Sequence, residues 1–139
     1  MVRKHFLNAV PLGRGLTIAI DIDGTVADSA RVDLGKVDRS PDEFWKATPR
    51  KGVVEAVRKL YKQGHTIVFY TCRNNGSKNI TKQWLMKYRF PFHHLVMNKF
   101  VAHVYIDDRA VNGCCWKDVM KNINKPRLPG RIARDKGMI

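Results

Sequence analysis

A pair of aspartates follows directly after a short apolar run near the start of the chain. The run from Leu16 to Ile20 is mostly aliphatic or β-branched, and it leads into Asp21 and Asp23 and then into Gly24 and Thr25. Side chains at positions i and i+2 of an extended chain point to the same side, so the two carboxylates would lie close together. Such a pair repels itself unless a cation offsets the charge, and Mg²⁺ prefers carboxylate oxygens. The alternative is an Asp-Gly turn whose carboxylates are simply solvated.

Two further apolar runs also end in polar residues. Thr66 to Thr71 reads as a second strand, and Val101 to Ile106 reads as another strand that leads into Asp107 and Asp108. The carboxyl ends of parallel strands meet at one edge of an open α/β sheet, where ligands bind. We therefore expect all three polar strand ends to form one pocket. Taken singly, Thr71 could be an ordinary strand residue and Asp108 a helix cap.

The pattern between these strands predicts helices that make the strands parallel. Apolar residues recur with helical spacing from Val53 to Tyr61, and Gly64 ends this helix before the second strand. A helix followed by a strand is the return half of a βαβ unit, which predicts an α/β fold with a mainly parallel sheet. The remaining predicted elements are a short helix at Pro41 capped by Ser40, a helix over Thr81 to Tyr88 with Trp84 and Leu85 inward, and a strand over Leu95 to Met97.

The charge of the chain is strongly positive and unevenly distributed. The 139 residues include 26 Lys and Arg against 12 Asp and Glu, a net charge of +14. Between Phe44 and Ile106 the only acidic residue is Glu55, so most of the surface is expected to be positive. A polyanionic partner such as nucleic acid is the direct inference, and an evenly charged basic protein is the alternative.

The length suits a single domain with its own hydrophobic core. We expect a basic lead-in over residues 1–15, the domain that carries the site over residues 16–116, and an extended basic tail over residues 117–139. Cys72, Cys114 and Cys115 lack the spacing of metal ligands. Adjacent cysteines such as Cys114 and Cys115 rarely pair with each other, which favours a reducing, cytoplasmic location. No segment is apolar enough to span a membrane.

Three motifs together resemble the haloacid dehalogenase (HAD) superfamily of phosphotransferases. Asp21-Ile22-Asp23-Gly24-Thr25 is similar to its first motif, Thr71 after Val-Phe-Tyr to its second, and Tyr-Ile-Asp107-Asp108 to its fourth. The resemblance covers about Leu16 to Val111 and implies a Rossmann-like three-layer sandwich. The intervals between motifs are too short for a large cap domain. Lys99 fits the third motif best, with Lys82 and Lys78 as weaker alternatives.

The resemblance implies a mechanism and a set of site residues. Asp21 would attack phosphorus to form an aspartyl-phosphate, and Asp23 would act first as an acid and then as a base. Thr71 and Lys99 would bind the transferred phosphoryl group. Mg²⁺ would be held by Asp21, the backbone carbonyl of Asp23, and Asp107 or Asp108. The expected substrate-binding residues are Gly24, Thr25, the Cys72 amide, Arg39 and Arg73, although Arg73 could equally be solvated.

The substrate is predicted from the open site and the positive charge. An uncapped site suits a phosphate at the end of a macromolecule. Three segments are similar to the 3′-phosphatase domain of polynucleotide kinases: Arg39-Ser40-Pro41, Thr71 to Gly76, and Ile106 to Arg109. No phosphate-binding kinase loop is found in the sequence, so kinase activity is not implied. The alternatives are a phosphatase of a sugar phosphate or mononucleotide, and a basic nucleic-acid-binding module with a vestigial site.

Overall fold

The computed structural model describes residues 15–124 and has an α/β architecture. Its strands are β1 Thr17–Ile20, β2 Ala27–Asp28, β3 Thr48–Pro49, β4 Thr66–Tyr70 and β5 His94–Val96. Its α-helices are α1 Val53–Lys62, α2 Lys78–Lys87 and α3 Trp116–Ile123, and short 3₁₀-helices cover Pro41–Lys46 and Asn75–Ser77. The predicted helices and the first three predicted strands of the sheet are therefore confirmed. Ser40 precedes the first 3₁₀-helix, but its side chain forms no capping hydrogen bond.

The main sheet has the order β1-β4-β5, and both strand pairs are parallel. The register pairs Ile20 with Phe69 and Phe69 with Leu95. In the central strand, Ile67, Val68 and Phe69 are at most 3% exposed. A strand buried on both faces needs no alternation of polar and apolar residues, which explains the unbroken apolar run.

Helix α2 is fixed to the core by Trp84 and Leu85, both fully buried as predicted. The Trp84 indole N–H donates a hydrogen bond of 2.9 Å to the Ala47 carbonyl oxygen. Its ring also stacks on Phe90 with a centroid separation of 5.7 Å. The hydrogen bond joins α2 to the chain that enters β3.

The predicted fourth strand over residues 101–106 is wrong. This segment forms no strand within residues 15–124, and Val101, Val104 and Ile106 are 74%, 73% and 98% exposed. The cause is that the Lys99 amide donates a hydrogen bond of 2.8 Å to the Thr71 carbonyl, at the carboxyl end of β4. A strand parallel to β1 would have to begin at the opposite end of the sheet, about 13 Å away. Phe100, the one residue between Lys99 and Val101, spans only about 3.6 Å, so the chain cannot reach that end of the sheet.

The end of the globular part also differs from the prediction. The first residues of the predicted tail belong to α3, in which Val119 and Ile123 are buried against the core. The boundary predicted at residue 116 therefore falls at the start of a packed helix. The rest of the predicted tail, from residue 125, and residues 1–14 of the predicted lead-in lie outside the described residues. Among the helices of residues 15–124, none has the length and apolar character needed to cross a membrane.

Candidate active site

The loop after β1 turns on the buried residue Ile22. Its carbonyl oxygen accepts hydrogen bonds from the amides of Thr25, Val26 and Ala27 at 3.1, 2.9 and 2.9 Å. Gly24 has a φ of +82°, a conformation that residues with a side chain rarely adopt. The Ile22 side chain is fully buried. Successive side chains of an extended chain point to opposite sides, so those of Asp21 and Asp23 lie on the other side, at the polar edge of the sheet.

Asp21 is a half-buried carboxylate with a cation nearby. Burial raises the pKa of Asp21, and the positive charge of Lys99 partly opposes this effect. The Thr25 hydroxyl donates to Asp21 Oδ2 at 3.4 Å. The negative charge of Asp23 adds to the raised pKa. Further positive charge close to Asp21 would therefore stabilise its ionised form.

Asp23 is held by a two-pronged ion pair with Arg73. Arg73 Nε donates to Asp23 Oδ2 at 2.8 Å, and Nη2 donates to Oδ1 at 2.7 Å. The Ser29 hydroxyl donates to the same Oδ1 at 2.5 Å. Burial alone would raise the pKa of Asp23, but the hydrogen bonds and charge of Arg73, together with Ser29, lower it overall. The geometry therefore fixes both oxygens of Asp23 and favours the ionised form.

The Arg73 side chain is buried beneath this pair and is only 2% exposed. Its guanidinium lies 3.7 Å above the Phe44 ring, and Nη1 donates to the Thr81 hydroxyl at 3.1 Å. The sequence predicts that Arg73 either binds the phosphate of the substrate or is solvated. In the structure it is neither solvated nor open, because its donors face Asp23 and Thr81.

Lys99 reaches the site from the chain that follows β5. Its ammonium lies 4.7 Å from the centre of the Tyr105 ring and 5.4 Å from that of Tyr70. The neighbouring Thr71 is 1% exposed, and its hydroxyl oxygen accepts a hydrogen bond of 3.2 Å from the Arg73 amide. Lys82, the alternative for the same role, is an exposed residue of α2. The structure thus brings Asp21, Asp23, Thr71, Arg73 and Lys99 together.

Other residues predicted for the site lie apart from it or at its margin. Asp107 and Asp108 follow the exposed segment that forms no strand; Asp107 Oδ1 accepts from the Arg109 amide at 2.8 Å, and Asp108 Oδ1 lies 3.9 Å from Arg109 Nε. Arg39 is exposed on the loop before the first 3₁₀-helix. Cys72 is exposed, and its sulfur lies 3.9 Å from the Phe100 carbonyl oxygen.

The predicted Mg²⁺ ligand set is not assembled in this arrangement. No group of three His, Cys, Asp or Glu side chains within residues 15–124 is placed to hold a metal ion. Asp107 and Asp108 form no such group with Asp21 and Asp23 in this part of the chain. The described residues therefore do not fit the predicted metal site.

Arg50 is a structural residue of the site that the sequence did not reveal. One of its guanidinium nitrogens donates to the carbonyls of Gly24 and Thr25 at 3.2 Å and of Gly113 at 3.3 Å, and the other donates to Cys114 at 3.0 Å. We call this set of contacts the Arg50 bridge. Its acceptors are backbone carbonyls, which leave no pattern of residue types in the sequence. The Trp116 indole N–H adds a bond of 3.1 Å to the Thr25 carbonyl.

Comparison with known proteins gives the family. Residues 16–111, more than half of the chain, match the family model "Polynucleotide kinase PNKP phosphatase domain". A protein from Halalkalibacterium halodurans whose name assigns it as a nucleotidase is 29% identical over an alignment of 83 residues, and the match covers 51% of this chain and 43% of that protein. The match thus spans less than half the length of this relative.

Two solved structures share the fold. A structural-genomics target from Vibrio cholerae is 24% identical with a TM-score of 0.61, covering 77% of this chain and 94% of that one. A chain in the Pnkp1/Rnl/Hen1 complex is 20% identical with a TM-score of 0.53, covering 69% of this chain and 31% of that one. The paired aspartates and Lys99 are consistent with the family model. The match over residues 16–111 shows that the chain belongs to the HAD-type family of polynucleotide kinase phosphatase domains.

Proposed function

We propose that this protein hydrolyses phosphate monoesters through an aspartyl-phosphate on Asp21, and that its substrates are the 3′-phosphate ends of nucleic acids or nucleotides. The observation that carries the proposal is that each aspartate is influenced by a different cation. The positive charge of Lys99 acts on Asp21, whereas Arg73 binds both oxygens of Asp23. Two neighbouring carboxylates in different environments are suited to different chemical roles.

In the first step the Asp21 carboxylate forms a bond to phosphorus while the bond to the leaving oxygen breaks. Such a reaction depends on neutralising the charge of the phosphoryl oxygens. Lys99 is the cation placed to do this, since its charge already acts on Asp21. Thr71, whose hydroxyl can still donate its own proton, would add one hydrogen bond to the phosphoryl group.

In the second step a water molecule attacks phosphorus, Asp21 is released, and inorganic phosphate leaves. Asp23 would take the proton of the attacking water as a general base. The lowered pKa of Asp23, caused by Arg73 against the effect of burial, keeps this carboxylate ionised but also makes it a weaker base. In the first step the same carboxylate must acquire a proton before it can pass one to the leaving oxygen. We expect this requirement to limit the rate for leaving groups of high pKa.

The substrate class is supported by the net charge of +14 and by the match to a polynucleotide kinase phosphatase domain. The rival proposal is a phosphatase of mononucleotides or other small metabolites. It is favoured by the relative that is named as a nucleotidase. A binding module with a vestigial site is less well supported, because the site keeps Asp21, Asp23 and Lys99 together.

The proposal is tested with a panel of 3′- and 5′-phosphorylated oligonucleotides, mononucleotides, sugar phosphates and a generic aryl phosphate. We expect 3′-phosphorylated ends to give the highest kcat/KM, and Asp21→Asn to abolish the release of phosphate because an amide is a poor nucleophile. Asp42→Asn, the same change at an exposed aspartate of the first 3₁₀-helix, should retain full activity. An active Asp21→Asn protein would falsify the nucleophile assignment.

The predicted dependence on Mg²⁺ is a separate measurement on the same panel. The family resemblance predicts that a chelator removes activity and that Mg²⁺ restores it. Full activity in chelator would leave the aspartyl-phosphate proposal intact but overturn the metal prediction. A preference for free mononucleotides over oligonucleotides would favour the rival substrate class.

A further inference from the structure

Aromatic side chains surround the cation of the site and remain open to solvent. Tyr70, Phe100 and Tyr105 are 37%, 79% and 48% exposed. Two of these rings lie within 5.4 Å of the Lys99 ammonium. We call these three residues the aromatic rim. Large apolar side chains that remain exposed together usually mark a binding surface.

The rim is held in place by its own polar contacts. The Tyr105 hydroxyl donates a hydrogen bond to the Phe100 carbonyl oxygen and accepts one of 3.2 Å from the Ala102 amide. It also lies 3.8 Å from the sulfur of Cys72. Desolvation, the contact with Cys72 and the negative charge of Asp21 raise the pKa of Tyr105. The negative charge of Asp21, the proposed nucleophile, therefore acts on the Tyr105 hydroxyl.

We propose that the aromatic rim stacks the unpaired base next to the phosphate that Asp21 attacks, with Phe100 as the principal stacking residue. This inference rests on the proposed function, because it takes Lys99 as the phosphate-facing cation. A nucleotide carries a flat base and a phosphate on the same sugar, which matches aromatic rings placed around an ammonium group. Stacking on aromatic side chains is a general way in which proteins hold single-stranded nucleic acids.

The charge of the chain favours a nucleic acid over a second copy of this protein as the occupant. Because the chain carries a net charge of +14, two copies of it would repel each other. A polyanion would instead be attracted to it. Asp107 and Asp108 are negative neighbours of the rim, and both already contact the following Arg109.

The test measures binding to the Asp21→Asn variant, so that no turnover interferes. The probe is a short single-stranded DNA with a 3′-phosphate, in which the last base is either present or replaced by an abasic site. We expect loss of the base to weaken binding by roughly 5- to 100-fold, the range for one stacked base. Adding Phe100→Ala should weaken binding of the intact probe by a similar factor but leave binding of the abasic probe nearly unchanged.

Met86→Ala provides the matched control, since Met86 is an apolar residue of α2 with 62% exposure. It should affect neither probe. Phe100→Leu keeps an apolar side chain without a flat ring, so it should behave like Phe100→Ala if stacking is the cause. Met86→Ala should also leave hydrolysis of glycerol phosphate unchanged in the otherwise unaltered enzyme.

The results separate this inference from the proposed function. Base-dependent binding in a protein that hydrolyses none of the panel would support the rim and overturn the proposed activity. Hydrolysis of 3′-phosphate ends with equal binding of both probes would overturn the rim alone. A dimer in sedimentation that Phe100→Ala converts to a monomer, without any effect of the base, would identify a second copy as the occupant.

Discussion

At the residue scale, Lys99 controls how easily Asp21 loses its proton. Replacing Lys99 with alanine should lower kcat/KM by at least ~10-fold, since one charge that stabilises the transition state is lost. Burial raises the pKa of Asp21 and Lys99 opposes it, so the variant should have a still higher pKa for this carboxyl. The acid limb of the pH–rate profile should therefore move to higher pH. Lys82→Ala is the control; if it gives both effects and Lys99→Ala gives neither, the assignment of the third motif is wrong.

Arg73 is a second single residue with a measurable effect, in this case on stability. Arg73→Ala leaves the Asp23 carboxylate partly buried without its partner, which should cost about 3 kcal/mol in the free energy of unfolding at neutral pH. Arg73 lowers the pKa of Asp23 against the effect of burial. This stabilisation is present above the unfolded value of 3.8 and is lost as the pH falls through the lower folded value.

Urea denaturation at pH 7 and at pH 3 checks this prediction. The difference between the two proteins should be smaller at the lower pH. Arg39→Ala, which removes an exposed arginine, should change stability by no more than about 0.5 kcal/mol at either pH. An equal loss at both pH values would show that Arg73 acts through packing on Phe44 rather than through Asp23.

At the scale of elements, two isoleucines that each precede an aspartate offer a direct comparison. Ile20 ends β1 and is 4% exposed, whereas Ile106 belongs to the segment that forms no strand and is 98% exposed. Ile20→Ala should destabilise the protein by about 2–5 kcal/mol, the cost of a buried cavity. Ile106→Ala should change stability by less than about 0.5 kcal/mol. Equal losses in chemical denaturation would mean that residues 101–106 are packed as a strand after all.

This comparison also shows what a sequence pattern can and cannot predict. The apolar run before Asp21 and the one before Asp107 are equally suited to a strand, because the pattern reports the preference of each residue. It does not report where the preceding chain is fixed. The hydrogen bond from the Lys99 amide to Thr71 decides the second case, and it joins two backbone groups.

The residues of the site likewise divide into those that the sequence predicts and those whose contacts depend on packing. Asp21, Asp23 and Lys99 were predictable because their chemistry is carried by residue type and spacing. The partnership of Arg73 with Asp23 spans 50 positions of the chain, and Thr81 and Phe44 complete its surroundings from two other elements. Such contacts depend on packing between elements, which local spacing does not encode.

At the scale of the whole molecule, the net charge of +14 predicts salt-sensitive binding of nucleic acid. If ~4 to 6 phosphates are contacted, the slope of log affinity against log salt should be about −3 to −5, because each neutralised phosphate releases counterions. Fluorescence anisotropy with a labelled oligonucleotide over a range of salt concentrations measures this slope.

Deleting residues 126–139 provides the comparison. The slope should become shallower by about one unit for each removed basic side chain that contacts phosphate, while hydrolysis of a small aryl phosphate stays the same. A slope near zero for the whole chain would contradict the proposed nucleic-acid substrate and favour a phosphatase of small metabolites.

The Arg50 bridge has a consequence for how the protein loses its structure. One guanidinium and one indole bind the Thr25 carbonyl, and the same guanidinium holds the residues just before α3. The loop that carries both aspartates and the third α-helix therefore form one cooperative unit, although 91 positions separate Thr25 from Trp116. Loss of these contacts would free the Thr25 carbonyl in the loop that carries both aspartates. The difference in fluorescence between this protein and a Trp116→Phe variant then becomes an optical signal for the contact between the indole and the loop, because Trp45 and Trp84 also emit.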